Sequence, residues 1–538
     1  MDPYKMVFVN IVASLLLGIG VSFYRFVFPK KKINLFILLI LISVLPIISI
    51  LRPGDYESGD FNISIYRIIS FYSSLKEGIL MPSWAGDLNA TYGNPLFIFN
   101  YPLPYYIISF FHFIGISFIN GTKLYLGLVL YFSGIFMYAF IKNLTKSNIA
   151  AFTAAVFYIF NPYHLIDIHF RATLGESLIF LIVPLLFLSI IKYVNDERKI
   201  FLVSVALFSG LLFMAHPVLA FIFIGVTILY IYFFAKNLFK KICLYISIFI
   251  GMITTIYTWL PFIIYSSFMF KLSEIPNKDM NFYPFSELFF SPWRYGLLFQ
   301  GPKGELAQII GYTQLLVVVF IVCFFILGKI PKKLKKENLF WISLFFLTLF
   351  SMNPLSSFFW SFIPNVSAMI NPFARTSLAL SLFTSILSAY LILTPPFKKR
   401  PIFISILIIF TIGYTILNWG HRRVLPGIND SVLEKNVPFS TIDEGTTAYF
   451  LNNRWADVNK FWFSKIPPQH LEIIKGRGKI YEIKRNSVDH YYYVTAQTPL
   501  TIQENTLYYP GWRLESNSRE ISIYPGRRGI ITANLQAG

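Results

Sequence analysis

The stretch Ile309–Phe350 reads IIGYTQLLVVVFIVCFFIL-GKIPKKLKKEN-LFWISLFFLTLF. A run of nineteen mostly apolar residues, a short turn carrying four lysines between positions 332 and 336, and a second apolar run follow one another without a break. A helix needs about 20 apolar residues to cross ~30 Å of hydrocarbon, and lysine-rich loops between such runs stay on the cytoplasmic side. The same pattern recurs along the chain. Ile33–Leu51, Ile242–Leu260 and Ile402–Asn418 are further apolar runs, and basic clusters stand at Lys30–Lys32, Lys142 with Lys146, Arg198 with Lys199, Lys240 with Lys241, and Lys398–Arg400. The chain therefore reads as a polytopic α-helical membrane protein.

Composition agrees. Of 538 residues 55% are hydrophobic and only 13% charged, with a mean hydropathy of +0.60, whereas a soluble domain is about a quarter charged. The net charge of +20 sits in the turns between apolar runs, with no nucleic-acid-binding motif, so nucleic acid is not an expected partner. Two cysteines, Cys243 and Cys323, both inside predicted spans, exclude a disulfide framework. The run Val7–Phe28 lacks a strong basic start and a small-residue cleavage site, and reads as a retained first span.

Taking every basic cluster as cytoplasmic gives about 12 spans with both termini outside, provided that Leu96–Gly115 does not cross. That segment is broken by Pro102 and Pro104 and belted by Tyr101, Tyr105 and Tyr106, so it is expected along the outer interface or as a re-entrant segment. The expected division is a membrane domain over 1–420, with external loops at 52–122, 161–176, 266–306 and 353–372, and an extracytoplasmic β-sandwich-like domain over 421–538. From His421 charges, Gly, Pro and Asn become common. Alternating runs at Lys479–Lys484, Tyr491–Thr495 and Glu520–Tyr524 are separated by Pro-Gly turns. Gly538 follows another strand-like run, Gly529–Leu535, as the end of a truncated domain would.

Two external segments gather the chemistry. In the first, Asp60 precedes a predicted amphipathic helix, Phe61–Leu75, where an Asp serves as an ordinary N-cap or as a general base at the membrane–water boundary. The second, NPYHLIDIHFRATLGES, packs His164, Asp167, His169, Arg171 and Glu176 between two apolar runs, and charge at such a depth tends to mark function. Arg171 has two readings, an ion pair with Glu176 or a phosphate-binding fork. A divalent cation on His164, Asp167 and His169 is conceivable, although that spacing is not diagnostic. His216, Arg294 and Arg375 stand near span ends, where a histidine is usually structural and an arginine either snorkels or meets a lipid-linked phosphate.

The first-loop Asp, the surface helix, YGNPLFIFNYPLPYY and the second loop with Asp and Arg resemble the C-type glycosyltransferases, membrane enzymes that use polyprenyl-phosphate sugars. Asp60 to Arg67 (D-x6-R), EGILMPSW (Glu77–Trp84), YGNPLF, Arg171 to Glu176 (R-x4-E) and YYPGW (Tyr508–Trp512) resemble two narrower groups. These are the membrane proteins called 6-pyruvoyl-tetrahydropterin synthase-related and the YfhO-like membrane proteins. Ser64 stands where the family carries His. The three-His zinc site of a pterin synthase is absent. The resemblance implies a multi-pass cell-membrane glycosyltransferase that moves a sugar from a polyprenyl-phosphate donor to an envelope glycan, lipid or protein on the extracytoplasmic face. It implies catalytic Asp60 and Asp167, substrate or phosphate contacts from Arg67, Arg171, Glu176, Arg294 and Arg375, and metal, if any, at His164 and His169. The other readings are a lipid-linked sugar transporter or flippase, whose charges would sit at mid-span, and a non-catalytic envelope polysaccharide assembly protein.

Overall fold

The computed structural model of the protein describes residues 3–56, 58–268, 282–290, 309–363, 370, 373–395, 401–419, 424–439, 454–456 and 465–538. The chain forms two compact units. One gathers Met1–Phe61, Thr122–Thr255 and Asp279–Gly427, and the other Asn62–Gly121, Ile256–Lys278 and Ile428–Gly538. The second unit thus combines the C-terminal strands with two segments that precede them in the chain.

In the first unit the expected spans are helices. Lys5–Val27, Phe118–Thr145, Leu174–Asp196, Pro217–Phe234 and Phe373–Leu393 are each apolar and long enough to cross a bilayer alone. Asn148–Ile159 continues into Pro162–Arg171 with a 45° bend, and Lys332–Met352 into Pro354–Ser361 with an 86° bend. Leu35–Leu51, Ile200–Ala215, Tyr312–Ile326 and Pro401–Tyr414 are shorter apolar helices. The basic turns start the helices that follow them. Asn34 Oδ1 accepts from the Phe36 and Ile37 N–H groups, Ser147 Oγ from Ala150, and Asn237 Oδ1 from Phe239 and Lys240, each satisfying donors that a helix start leaves without a partner.

Small residues let helices approach. A Cβ on Gly210 would meet the Gly251 carbonyl oxygen at 3.0 Å, and one on Gly251 would collide with the Ala206 carbonyl. Helices Ile200–Ala215 and Leu238–Thr254 therefore pack backbone to backbone, as membrane helices do where glycine permits.

The second unit carries the larger sheets. Strands Leu471–Lys475, Leu500–Leu507, Ile530–Leu535 and Ile523–Pro525 form a four-stranded antiparallel sheet in that order. The hairpin of Gly478–Arg485 with His490–Ala496 contributes Ile480, Tyr492 and Val494 to a core with Leu471, Leu500, Ile502 and Ala533. Leu96–Gly115 falls in this unit and splits into Leu96–Phe99 and Pro102–Phe113. Its longer half has 12 residues, about 18 Å at 1.5 Å per residue, too short to cross alone. Motif tryptophans and tyrosines from distant parts of the sequence meet here. Trp84 packs edge-to-face on Trp512 at 5.4 Å, beside Tyr92 and Tyr509, and the Leu507 N–H donates to the Tyr92 carbonyl at 3.0 Å. Gly93 has φ +65, and any Cβ there would strike the Trp84 indole, so YGNPLF needs its glycine for backbone conformation and space alike.

Candidate active site

The segment expected as an external loop, Asn161–Glu176, is helical and buried within its unit. Asn161 begins it, its Oδ1 accepting from the Tyr163 N–H at 3.0 Å, and Pro162 occupies the first turn, where a missing N–H does no harm. The chain then widens into a π-helical turn, Asp167–Arg171, that ends on Ala172 in the left-handed region at φ 52. Such turns are rare and concentrate at functional sites. The reversal at Ala172 delivers Glu176, in the first turn of Leu174–Asp196, to the Arg171 guanidinium.

The result is a closed ion network. Arg171 Nη1 donates to Asp167 Oδ1 at 2.8 Å and to Glu176 Oε2 at 2.9 Å, and Nη2 to Glu176 Oε1 at 3.0 Å. The Tyr163 hydroxyl donates to Glu176 Oε2 at 2.8 Å and accepts from Arg171 Nη1 at 2.9 Å. Arg375, on the turn Phe373–Thr376, donates from Nε to Glu176 Oε1 at 3.0 Å. Exposure falls from Arg375 (29%) through Arg171 (18%) to Glu176 (3%) and Asp167 (0%), so the network is most exposed at its arginines. Two guanidinium charges face two carboxylates, which is how charge can be buried at this depth.

Asp60 joins this network through its backbone. The Gly59 N–H donates to the Phe170 carbonyl and the Asp60 N–H to the Arg171 carbonyl, each at 2.7 Å, which ties the first loop to the end of the π-turn. The N-cap role expected of Asp60 is supplied by Ser58, whose Oγ accepts from the Phe61 N–H at 3.1 Å. The Asp60 side chain is half-buried and within electrostatic reach of Asp167.

The structure thus brings Asp60, Asp167, Arg171, Glu176 and Arg375 together. Arg67 lies on helix Phe61–Lys76, in the second unit, and Arg294 lies outside the described residues. His164 stacks on Phe180, centroids 3.7 Å apart and planes 3° apart, with Nδ1 on the Tyr158 carbonyl at 2.9 Å. It packs the core. His169 is buried, within electrostatic reach of Arg52. Among the described residues no three His, Cys, Asp or Glu side chains are placed to hold a metal ion. Two further residues complete the surroundings, Tyr163 without a sequence signal of its own and His216 from its span end. Tyr163 completes the Glu176 contacts, and His216, capping the helix from Pro217, lies within electrostatic reach of Arg375 and Glu176.

Residues 98–361 match the profile of the 6-pyruvoyl-tetrahydropterin synthase related domain of membrane proteins. That segment contains Asp167, Arg171 and Glu176, while Asp60 and Arg375 lie outside it. A Lactococcus lactis subsp. cremoris (strain MG1363) protein, described as uncharacterized, is 28% identical over 210 residues, which are 38% of this chain and 34% of that protein. A cryo-EM structure of the arabinofuranosyltransferase AftD from Mycobacteria is similar at 14% identity and a TM-score of 0.47, covering 73% of this chain and 27% of that one. A mutant of the same enzyme is similar at 13% identity and a TM-score of 0.45, covering 73% and 28%. The chain therefore spans about a third of the curated relative and about a quarter of each of these structures.

Proposed function

We propose that this protein is a membrane glycosyltransferase that moves a sugar from a polyprenyl-phosphate donor to a cell-envelope acceptor on the extracytoplasmic face. One observation carries the reading: the Asp60 N–H on the Arg171 carbonyl, which fixes a half-buried carboxylate beside a buried network of two arginines and two carboxylates. Asp60 is the general base. It takes the proton of the acceptor hydroxyl as the acceptor oxygen attacks the anomeric carbon, and the bond from that carbon to the phosphate oxygen breaks with its electrons on the leaving phosphate. Arg171 is committed to Asp167 and Glu176 and acts as a brace. Arg375 gives only its Nε to Glu176 among the described contacts, so its terminal amino groups are the ones that meet the developing phosphate charge.

Incubating purified protein with polyprenyl-phosphate sugar and envelope acceptors tests this. Wild type releases polyprenyl phosphate, and Asp60→Ala is slower by about 10²–10⁴, the contribution of a positioned general base. Equal rates in the two proteins would overturn the assignment. The bend between Asn148–Ile159 and Pro162–Arg171 favours a second reading, a lipid-linked sugar transporter or flippase, since secondary transporters bind their substrates at discontinuous helices. Movement of donor across vesicles with no sugar transfer would select it.

A further inference from the structure

Helix Pro3–Val27 is held by its first half. Met6 is buried, and Asn10 Nδ2 donates to the Trp419 carbonyl at 2.8 Å. Beyond that point Leu15, Leu16, Ile19, Phe23 and Phe26 are each at least 60% exposed. Between this helix and the bundle runs a partly open groove of about 1990 Å³. Its long walls are apolar, with Ile11, Leu15 and Ile19 facing Phe152, Ile408 and Ile412. From Ile11 to Phe26 the wall extends about 22 Å at 1.5 Å per residue, well past the depth of one leaflet of a ~30 Å core.

The groove's charge is confined to one end. Lys32, Asn34, Lys142, Asn143 and Asn148 line the groove there. Helices Leu35–Val44 and Asn148–Ile159 both begin at that end, so their positive termini add to the two ammonium groups. The far end of Asn148–Ile159 leads through its bend to Arg171, so the groove's charged end and the candidate active site lie at opposite ends of one helix. Positive charge placed by the rule for basic loops, above an apolar crevice between helices, is the arrangement that holds anionic headgroups.

We infer that the groove is a binding site for an anionic glycerophospholipid of the cytoplasmic leaflet. Lys32 and Lys142 hold the phosphate, and the acyl chains fill the wedge between helix Pro3–Val27 and the bundle. The site is independent of the proposed transferase chemistry, and its occupant is structural lipid, not the sugar donor.

The test is native mass spectrometry of the full chain in mild detergent with phosphatidylglycerol, phosphatidylcholine or polyprenyl phosphate added separately. Wild type keeps one phosphatidylglycerol. The double variant Lys32→Gln/Lys142→Gln binds it about thirtyfold more weakly, each lysine near a membrane surface contributing roughly fivefold. Gly18 lines the groove with open space around its Cβ position. Gly18→Phe therefore fills the crevice and displaces lipid while both lysines stay in place. Equal retention of phosphatidylcholine, preference for polyprenyl phosphate, a second protein copy cross-linked in the groove, or undiminished binding in either variant would overturn the inference.

Discussion

Replacing Glu176 with Gln keeps the side chain's size and removes its charge. In the native network Glu176 accepts two hydrogen bonds from Arg171, one from Arg375 and one from Tyr163, at 2.8–3.0 Å. Three of the four come from guanidinium groups, and such bonds contribute about 1.5–3 kcal/mol each, though they do not add. Gln offers one acceptor oxygen and turns an amide toward donors, leaving two guanidinium charges opposite Asp167 alone. Removing one partner of a buried pair costs about 3–5 kcal/mol, and that range is expected for Glu176→Gln. Arg171→Met leaves the opposite imbalance, with one more carboxylate than guanidinium. The double variant retains Arg375 and Asp167 and is neutral, so it should be less destabilised than the sum of the singles by about 2 kcal/mol, within the usual coupling of contacting residues. Chemical denaturation in detergent micelles measures all four proteins. A loss below about 1 kcal/mol, as for an exposed pair, or strict additivity would refute the buried-network account.

Asp87, in the second unit, has its carboxyl pushed up to about 6, first by burial and then by the charge of Glu77. Its folded pKa exceeds the unfolded value of about 3.9, so its contribution is fully present at low pH and is lost as pH rises from about 4 through 6. Asp87→Asn should thus be more stable than wild type at pH 7.5 by up to about 2–3 kcal/mol, with the difference vanishing near pH 4; a pH-independent difference in unfolding would contradict this. Gly311 has φ +111, and a Cβ there would strike Gln314 and the Tyr414 hydroxyl, so Gly311→Ala should lose at least about 1–3 kcal/mol in the same denaturation assay. Trp84→Ala empties the cluster of Tyr92, Tyr509 and Trp512 and should cost about 3–5 kcal/mol, read from the unfolding transition, with near-UV dichroism reporting the lost tryptophan contact.

The helices were legible because hydrophobic length and basic turns are properties of the chain itself. Asn34, Ser147 and Asn237, the caps that start three of them, follow or flank those basic turns in plain sight. Asn161–Glu176 reads as a loop in sequence because five ionisable groups suggest water. Mutual neutralisation of Arg171, Asp167, Glu176 and Arg375 is what lets them be buried, and Arg375, 199 residues from Glu176, gives no local sign of it. Tyr163 escaped notice because an apolar ring with one hydroxyl reads as core until its partner is known. Composition changes at His421, but Trp84 and Tyr92 pack on Trp512 and Leu507, a pairing no local pattern encodes.

The most direct test of the central claim is a cryo-EM structure of the full chain with polyprenyl phosphate bound. The account predicts the phosphate within hydrogen-bond reach of the Arg375 amino groups, with the Asp60 carboxylate beside it and Arg171 still paired to Glu176. A phosphate seated at Lys32 and Lys142 instead, or one that draws Arg171 away from Glu176, would contradict it.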